Sequence, residues 1–290
     1  MKLLKGPAMT FEFPKDFSEP VIALISLGEK AARSTKWSEY AELGITSDHI
    51  PELIRVIEQI DLFWGDEADD EKYDFAPIHA WRALGQLQAE EAIQPLIELV
   101  VWNEEGDADW IMEEIPEVMA KIGPVTIPIL QAALLDKLGL EWTAVTLGHC
   151  LSDVGQAYPE HRLACIAALE SGLEKYADND ENVNAFLISY LSELKAVESL
   201  PLIEEAFKAE AVDFSVAGDF EEIQIELGVL KERITPRPRF NTLFDPDYLW
   251  ASEKEERKQE NQRKKAQEKK EKEKKKAAKK ARKRHKGKRK

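Results

Sequence analysis

Cysteine is scarce in this sequence: the 290 residues hold only Cys150 and Cys165. Two are too few for a disulfide framework, and free thiols suit a reducing compartment. Long apolar runs are missing as well. None approaches the ~20 residues that cross a bilayer. The opening Met1-Lys2-Leu3-Leu4-Lys5-Gly6-Pro7 is charged but lacks the apolar stretch of a secretory signal. A cytoplasmic protein without membrane insertion is the expectation. Phosphate-binding and catalytic signatures are equally short: no P-loop, GxGxxG, GxSxG or HExxH sequence occurs. Alternating, β-branched, turn-bounded segments are few, which argues against a sheet.

Charge is plentiful and unevenly placed. Residues 251–290 carry 21 Lys/Arg against 7 Asp/Glu, a net +14, whereas 1–250 carry 19 basic and 48 acidic groups, a net −29. The overall charge of −15 describes neither part. An acidic body repels a phosphate backbone, so any nucleic-acid contact has to come through the basic tail. Apolar residues make up 43% of the chain, enough to exclude wholesale disorder.

Between about 40 and 232 apolar residues recur three and four apart, and Ala and Leu are frequent, the pattern of short amphipathic helices. Paired apolar residues mark the ends of successive first helices: Leu84/Leu87, Met119/Ile122, Leu151/Val154 and Leu191/Leu194, spaced 35, 32 and 40 residues apart. A short turn follows each, with Gly123 and Gly155 in two of them. Three second helices then open on Pro and two aliphatics, Pro95-Leu96-Ile97, Pro128-Ile129-Leu130 and Pro201-Leu202-Ile203, and Pro51 is a related earlier case. Proline belongs in a first turn, where the N–H groups have no intrahelical acceptor. A period of about 35 residues with two helices per unit predicts a solenoid of stacked hairpins.

The stretch Leu84-Gly85-Gln86-Leu87-Gln88-Ala89-Glu90-Glu91-Ala92-Ile93-Gln94-Pro95-Leu96-Ile97-Glu98-Leu99 resembles a bacterial HEAT-like repeat of the phycobilisome-lyase type. Met119 to Leu134 is similar, and Leu191 to Phe207 more distantly so. The resemblance implies an all-α, right-handed α-solenoid used as a scaffold or binding surface. It implies no activity, because HEAT-like families include scaffolds, lyases and hydroxylases. His49 and His79 are not followed by Glu, so the His-Glu pairs of the di-iron hydroxylases are absent. Basic DNA-gripping grooves of the glycosylase-like members are at odds with the acidic body.

Four regions are expected: an N-terminal segment over 1–39, the solenoid over 40–232, a Pro/aromatic strap over 233–250 and a tail over 251–290. A last body helix starts at Asp219, whose spacing to Glu222 is that of a capping box, and runs to about Arg233. Thr235-Pro236-Arg237-Pro238-Arg239-Phe240 is stiff and extended. Phe240, Leu243, Phe244, Tyr248, Leu249 and Trp250 then predict a strap lying back on the helices.

In the tail, residues 251–273 mix 9 basic and 7 acidic groups, with favourable pairs such as Glu253/Arg257 and Glu260/Lys264, as in a solvated single helix. Residues 274–290 have no acid and twelve cations: Lys274, Lys275, Lys276, Lys279, Lys280, Arg282, Lys283, Arg284, Lys286, Lys288, Arg289 and Lys290. Such a run grips RNA, ribosomes or another polyanion by counterion release; it reads equally as a solubilising tail. No aromatic interleaves it, so base stacking is not expected.

Two acidic, Trp-flanked loops lie between helices. Asp66, Glu67, Asp69 and Asp70 follow Trp64, and Glu104, Glu105, Asp107 and Asp109 lie between Trp102 and Trp110. Together they form a candidate rim for a basic protein partner; the plainer reading is solvated loops with Trp packed at repeat junctions. Asp178-Asn179-Asp180 imitates a calcium loop, but Val183 and Ser189 replace its Gly and Glu, leaving a turn into a helix. Cys150, His161 and Cys165 flank the turn expected at Gly155 and are the one candidate zinc set, against the reading of both thiols as core residues. No cofactor is expected. The leading function is a non-catalytic scaffold holding a protein partner on the solenoid and an anionic assembly on the tail. A lyase-type enzyme handling a prosthetic group and an acidic chaperone for basic proteins are the alternatives.

Overall fold

The computed structural model describes residues 16–34, 36–64, 73–105 and 108–236. The chain divides at Pro236, and the second unit, 237–290, lies outside the described residues, so most of the expected strap and all of the tail do too. Among the described residues the structure is all-helical, with no strand. The helices are α1 (Glu19–Ile25), α2 (Gly28–Ala32), α3 (Ile50–Glu58), α4 (Asp61–Trp64), α5 (Ala76–Gln86), α6 (Ile93–Trp102) and α7 (Asp109–Ile122). They continue as α8 (Ile127–Lys137), α9 (Glu141–Ala157), α10 (Arg162–Leu173), α11 (Glu181–Glu193), α12 (Leu200–Lys208), α13 (Phe214–Ala217) and α14 (Phe220–Glu226).

Local chemistry recurs at equivalent places. A single tight 3₁₀ turn leads into each of α3, α6, α8, α10 and α12: Ser47–His49, Glu90–Ala92, Pro124–Thr126, Pro159–His161 and Val197–Ser199. Pro51, Pro95, Pro128 and Pro201 all fall in the first turn of the helix that follows, where their missing N–H breaks no ladder. After α5 and α11 the chain reverses through Gln88 and Lys195, both left-handed (φ 52° and 55°). Ala89 N–H then bonds back to the Leu84 carbonyl at 3.1 Å, and Ala196 N–H to that of Leu191 at 2.9 Å, each satisfying a terminal carbonyl. Leu84 and Leu191 are the apolar marks of the sequence repeat.

Packing follows the same order. In one row α1, α5, α7, α9, α11 and α13 each lie against the next; beside it α3 packs on α6, α8 on α10, α10 on α12 and α12 on α14. Both α8 and α10 pack against α9, where the two rows meet. Leu84, Met119, Leu147, Leu151, Leu169 and Leu191 are fully buried in one apolar core that runs from Phe17 to Leu227. This many packed helices is compatible with an α-solenoid.

Two boundaries differ from expectation. Gly155 is not a turn residue: α9 runs through it to Ala157. Its lack of a side chain serves close packing, since a Cβ there would stand 2.8 Å from Leu194 Cδ2 and 3.1 Å from Cys165 Cβ. The last helix begins as expected, with Asp219 Oδ1 accepting from the Glu222 N–H at 2.9 Å, but ends at Glu226. Gly228, at φ +72°, turns the chain back, and Arg233 returns to the carboxylates of Asp219 and Glu221. Asp180 caps α11 through the Asn182 N–H at 2.8 Å, so the calcium-like stretch is a helix-starting turn.

Candidate functional site

The largest concentration of buried charge lies between α5 and α7. Arg82 of α5 (2% exposed) and Glu114 of α7 (9%) meet there, among buried apolar residues. Arg82 Nε donates to Glu114 Oε2 at 2.8 Å, its Nη2 pairs with Oε1, and the same Nη2 donates to the Ala32 carbonyl at 2.8 Å. Trp81 Nε1 donates to Glu114 Oε2, also at 2.8 Å. Both Glu114 oxygens are thereby engaged, as a buried ion pair requires, whereas Arg82 Nη1 is buried without a hydrogen-bond partner.

Aromatic rings complete the enclosure. The Arg82 guanidinium lies 5.2 Å from the Trp37 ring centre and 5.8 Å from that of Trp110. Lys121 Nζ is 5.0 Å from the Trp37 ring centre, and Arg33 5.9 Å from that of Trp110. Cations and rings therefore alternate from Lys121 through Trp37, Arg82 and Trp110 to Arg33, each contact within reach of the ring quadrupole.

Tyr40 and His79 lie beside this cluster. The Gly28 carbonyl can only accept, so the 3.3 Å contact puts the proton on His79 Nε2. Nδ1 then accepts from the Tyr40 hydroxyl at 2.8 Å. Burial pushes the His79 pKa down to about 4 despite the opposing Gly28 bond, with Arg82 adding repulsion. Burial also raises the Tyr40 hydroxyl. Both side chains are neutral hydrogen-bonding struts at pH 7.

Open grooves flank the Trp rings. One, of about 490 Å³, is lined by Arg33, Asp109, Trp110 and Glu113. The other, of about 290 Å³, is lined by Lys36, Trp37, Glu39, Gln86, Glu117 and Lys121. The first is positioned by Asn103, which is buried: its Oδ1 accepts from Ala108 N–H at 2.9 Å and its Nδ2 donates to the Ala108 carbonyl at 3.2 Å. This two-way bond closes the acidic loop at its base and sets where α7, and so Trp110, begins.

Of the expected acidic rim, Asp66, Glu67, Asp69, Asp70 and Asp107 lie outside the described residues. Glu104 is turned inward, accepting from the Thr143 N–H at 3.0 Å and its hydroxyl at 2.5 Å at the start of α9. Glu105 and Asp109 are exposed, and Asp109 lines the larger groove. Trp64 and Trp102 pack at the repeat junction, with ring centres 6.5 Å apart. Trp102 Nε1 also donates to Asp61 at 3.0 Å.

A second polar row crosses α9 and α11. His149 stacks flat on Tyr190 with ring centres 5.3 Å apart and stands 3.5 Å from Asp153. Ser152 donates to Glu193 at 2.8 Å. Burial raises the Asp153 carboxyl; His149 pulls it back down, while Glu193 and Glu117 push it further up.

The candidate zinc set does not assemble. Cys150 and Cys165 are free and buried, whereas His161 is exposed in the turn before α10. Among the described residues no group of three or more His, Cys, Asp or Glu is arranged for a metal. Burial raises both thiols, Cys165 to about 11, so neither is a thiolate nucleophile near neutrality. Trp37, Tyr40, Arg82 and Glu114 went unnoticed in the sequence. For Arg82 the signal is a lone charge in the apolar helix stretch Ala80-Trp81-Arg82-Ala83-Leu84; Glu114, beside Glu113 and near Glu117, carries no such mark.

No protein-family model, curated protein or solved structure matches the chain. Within the described residues no single helix is long and apolar enough to cross a membrane.

Proposed function

We propose that the chain is a non-catalytic scaffold or adaptor, built as a right-handed α-solenoid of HEAT-like hairpins. Its helical body holds a protein partner, and residues 274–290 attach it to an anionic assembly such as RNA or a ribosome in the cytoplasm. The observation that carries this reading is the recurrence of one unit. Five times a 3₁₀ turn opens a helix, and cross-links repeat at about the period of the sequence. Arg82 reaches Glu114 and Arg162 reaches the Leu194 carbonyl, both 32 residues on; Thr143 reaches Glu104 across 39, and Ser152 reaches Glu193 across 41. Stacked units of this kind make extended surfaces for partners. Arg82, Glu114 and His79, all deeply buried, are taken up in internal bonds, which suits a framework.

The charge split supports the second attachment. Twelve cations without an acid, joined to a body of net −29, concentrate attraction for a polyanion in the last 17 residues. Retention of the full chain on immobilised RNA should fall steeply with salt. Deleting 274–290 should abolish that retention and leave the helical circular-dichroism signal intact. Unchanged retention overturns the tail's role.

A further inference from the structure

We propose that the chain pairs with a second copy of itself through the solvent side of α8 and α10. This goes beyond the scaffold reading, which concerns other partners.

The repeat brings the surface into view. The sixth residues of α3, α6 and α12 are Arg55, Glu98 and Glu205, charged as the outer side of an amphipathic helix is. At the same place α8 has Ala132 and α10 has Ala167, both exposed. Their neighbours are no more polar. Ile129 and Leu135 on α8 are 37% and 41% exposed, Leu163 on α10 is 66% exposed, and Ala164 is exposed beside it. No charge occurs over 127–135 or 163–169. Gln131 and Ser171 bond to each other across the two helices at 3.2 Å. Because α8 packs on α10, the six side chains form one apolar face.

Area and charge name the occupant. With exposed Val125 and Pro128 beside them, these side chains present on the order of 500 Å² per copy. Two copies face to face then remove roughly 1,000 Å² from water, the lower edge of a specific interface. A partner drawn by the acidic body finds no charge here to meet. An identical face is equally short of charge, and a two-fold axis sets apolar on apolar with no charge stranded. Given the tail reading, each pair carries two basic tails, and a polyanion that meets both is held more tightly than by one.

Sedimentation equilibrium of the full chain from ~1 to ~100 μM, at about 0.15 and about 0.5 M salt, tests the pairing. The mass should rise from one chain to two, with a midpoint on the order of 10 μM, as suits a small interface. Higher salt should leave that midpoint unchanged or lower it, because each chain carries −15 and the contact itself carries no charge. Leu163→Glu with Leu135→Glu puts unpaired carboxylates into the contact and should weaken pairing at least about tenfold. Both positions are exposed, so each chain keeps its fold, which circular dichroism checks. Leu62→Glu with Ile234→Glu adds the same charge at exposed positions off the face, 47% and 78%, and should change little. A single chain at every concentration overturns the pairing and leaves the face to another protein or another segment of this chain. A dimer that the Leu163/Leu135 variant leaves intact overturns it too. So does one that dissolves in salt, which assigns association to tail and body, or one that both double variants weaken alike, which assigns it to net charge. None of these outcomes bears on RNA retention, which tests the scaffold reading separately.

Discussion

The Tyr40 hydroxyl donates to His79 Nδ1 at 2.8 Å, joining residues 39 apart in the chain and locking the imidazole in its neutral form. The ring is wholly buried, and its other nitrogen is held by the Gly28 carbonyl. A proton added to this ring puts a charge in a buried site beside the Arg82 guanidinium.

Stability should therefore depend on His79 below neutrality. Its pKa is about 4 in the fold against 6.5 for the free side chain, so the unfolded chain binds the extra proton between those values. The contribution is fully present above about pH 6.5 and is lost as pH falls towards 4, amounting to about 3 kcal/mol over that window. Urea unfolding at stepped pH should show the decline, and His79→Gln should flatten it. A variant with the wild-type slope would refute the assignment.

Glu114→Gln should be severely destabilising, by about 3–5 kcal/mol, because it strands the buried Arg82 charge. Replacing both, with Arg82→Met and Glu114→Leu, should recover most of the loss. Chemical denaturation of the single and double variants measures the difference. A mild single variant would mean that water reaches the guanidinium.

Glycine substitutions should separate packing from helix propensity. Gly155→Ala places a methyl 2.8 Å from Leu194 Cδ2 and should cost about 1–3 kcal/mol by overpacking, outweighing a propensity gain of about 1 kcal/mol. Gly85 has its nearest neighbours at 3.4 Å, an ordinary contact, so Gly85→Ala should be neutral or stabilising. Denaturation midpoints rank the two; the reverse order would contradict the close approach at Gly155.

Both thiols should resist labelling in the native protein. Burial raises Cys150 and Cys165 and encloses them, so an aromatic disulfide reagent at pH 8 should react with both only after denaturant is added. Prompt native labelling of either would show that its helix opens.

The helices and their period were legible because burying one face of a short helix demands apolar residues three and four apart, and Pro in first turns marks where the second helices begin. The Asp219 and Asp180 caps were legible for a similar reason, since capping is local. What escaped the sequence was long-range. Gly155 looks like a turn residue in isolation; only the approach of Leu194, 39 residues on, explains it as a packing contact. Glu104 counts as a free rim charge until α9 brings Thr143 to it. Arg82 and Glu114 are unremarkable among 40 basic and 55 acidic residues, and their partnership appears only when α5 lies on α7. Trp37 and Tyr40 sit at the edge of the helical pattern, so periodicity gave no reason to place them over α5.

Asn103 makes a small contact with a large consequence. By gripping Ala108 through both amide atoms, it pins together the two ends of the excursion over 104–107, with Glu104 held separately by Thr143. An excursion stapled at its neck can lengthen, shorten or exchange its tip while α6 and α7 keep their register. Evolution, or an engineer grafting a new recognition sequence there, can rewrite the tip and leave the Trp110 wall of the neighbouring groove where it stands.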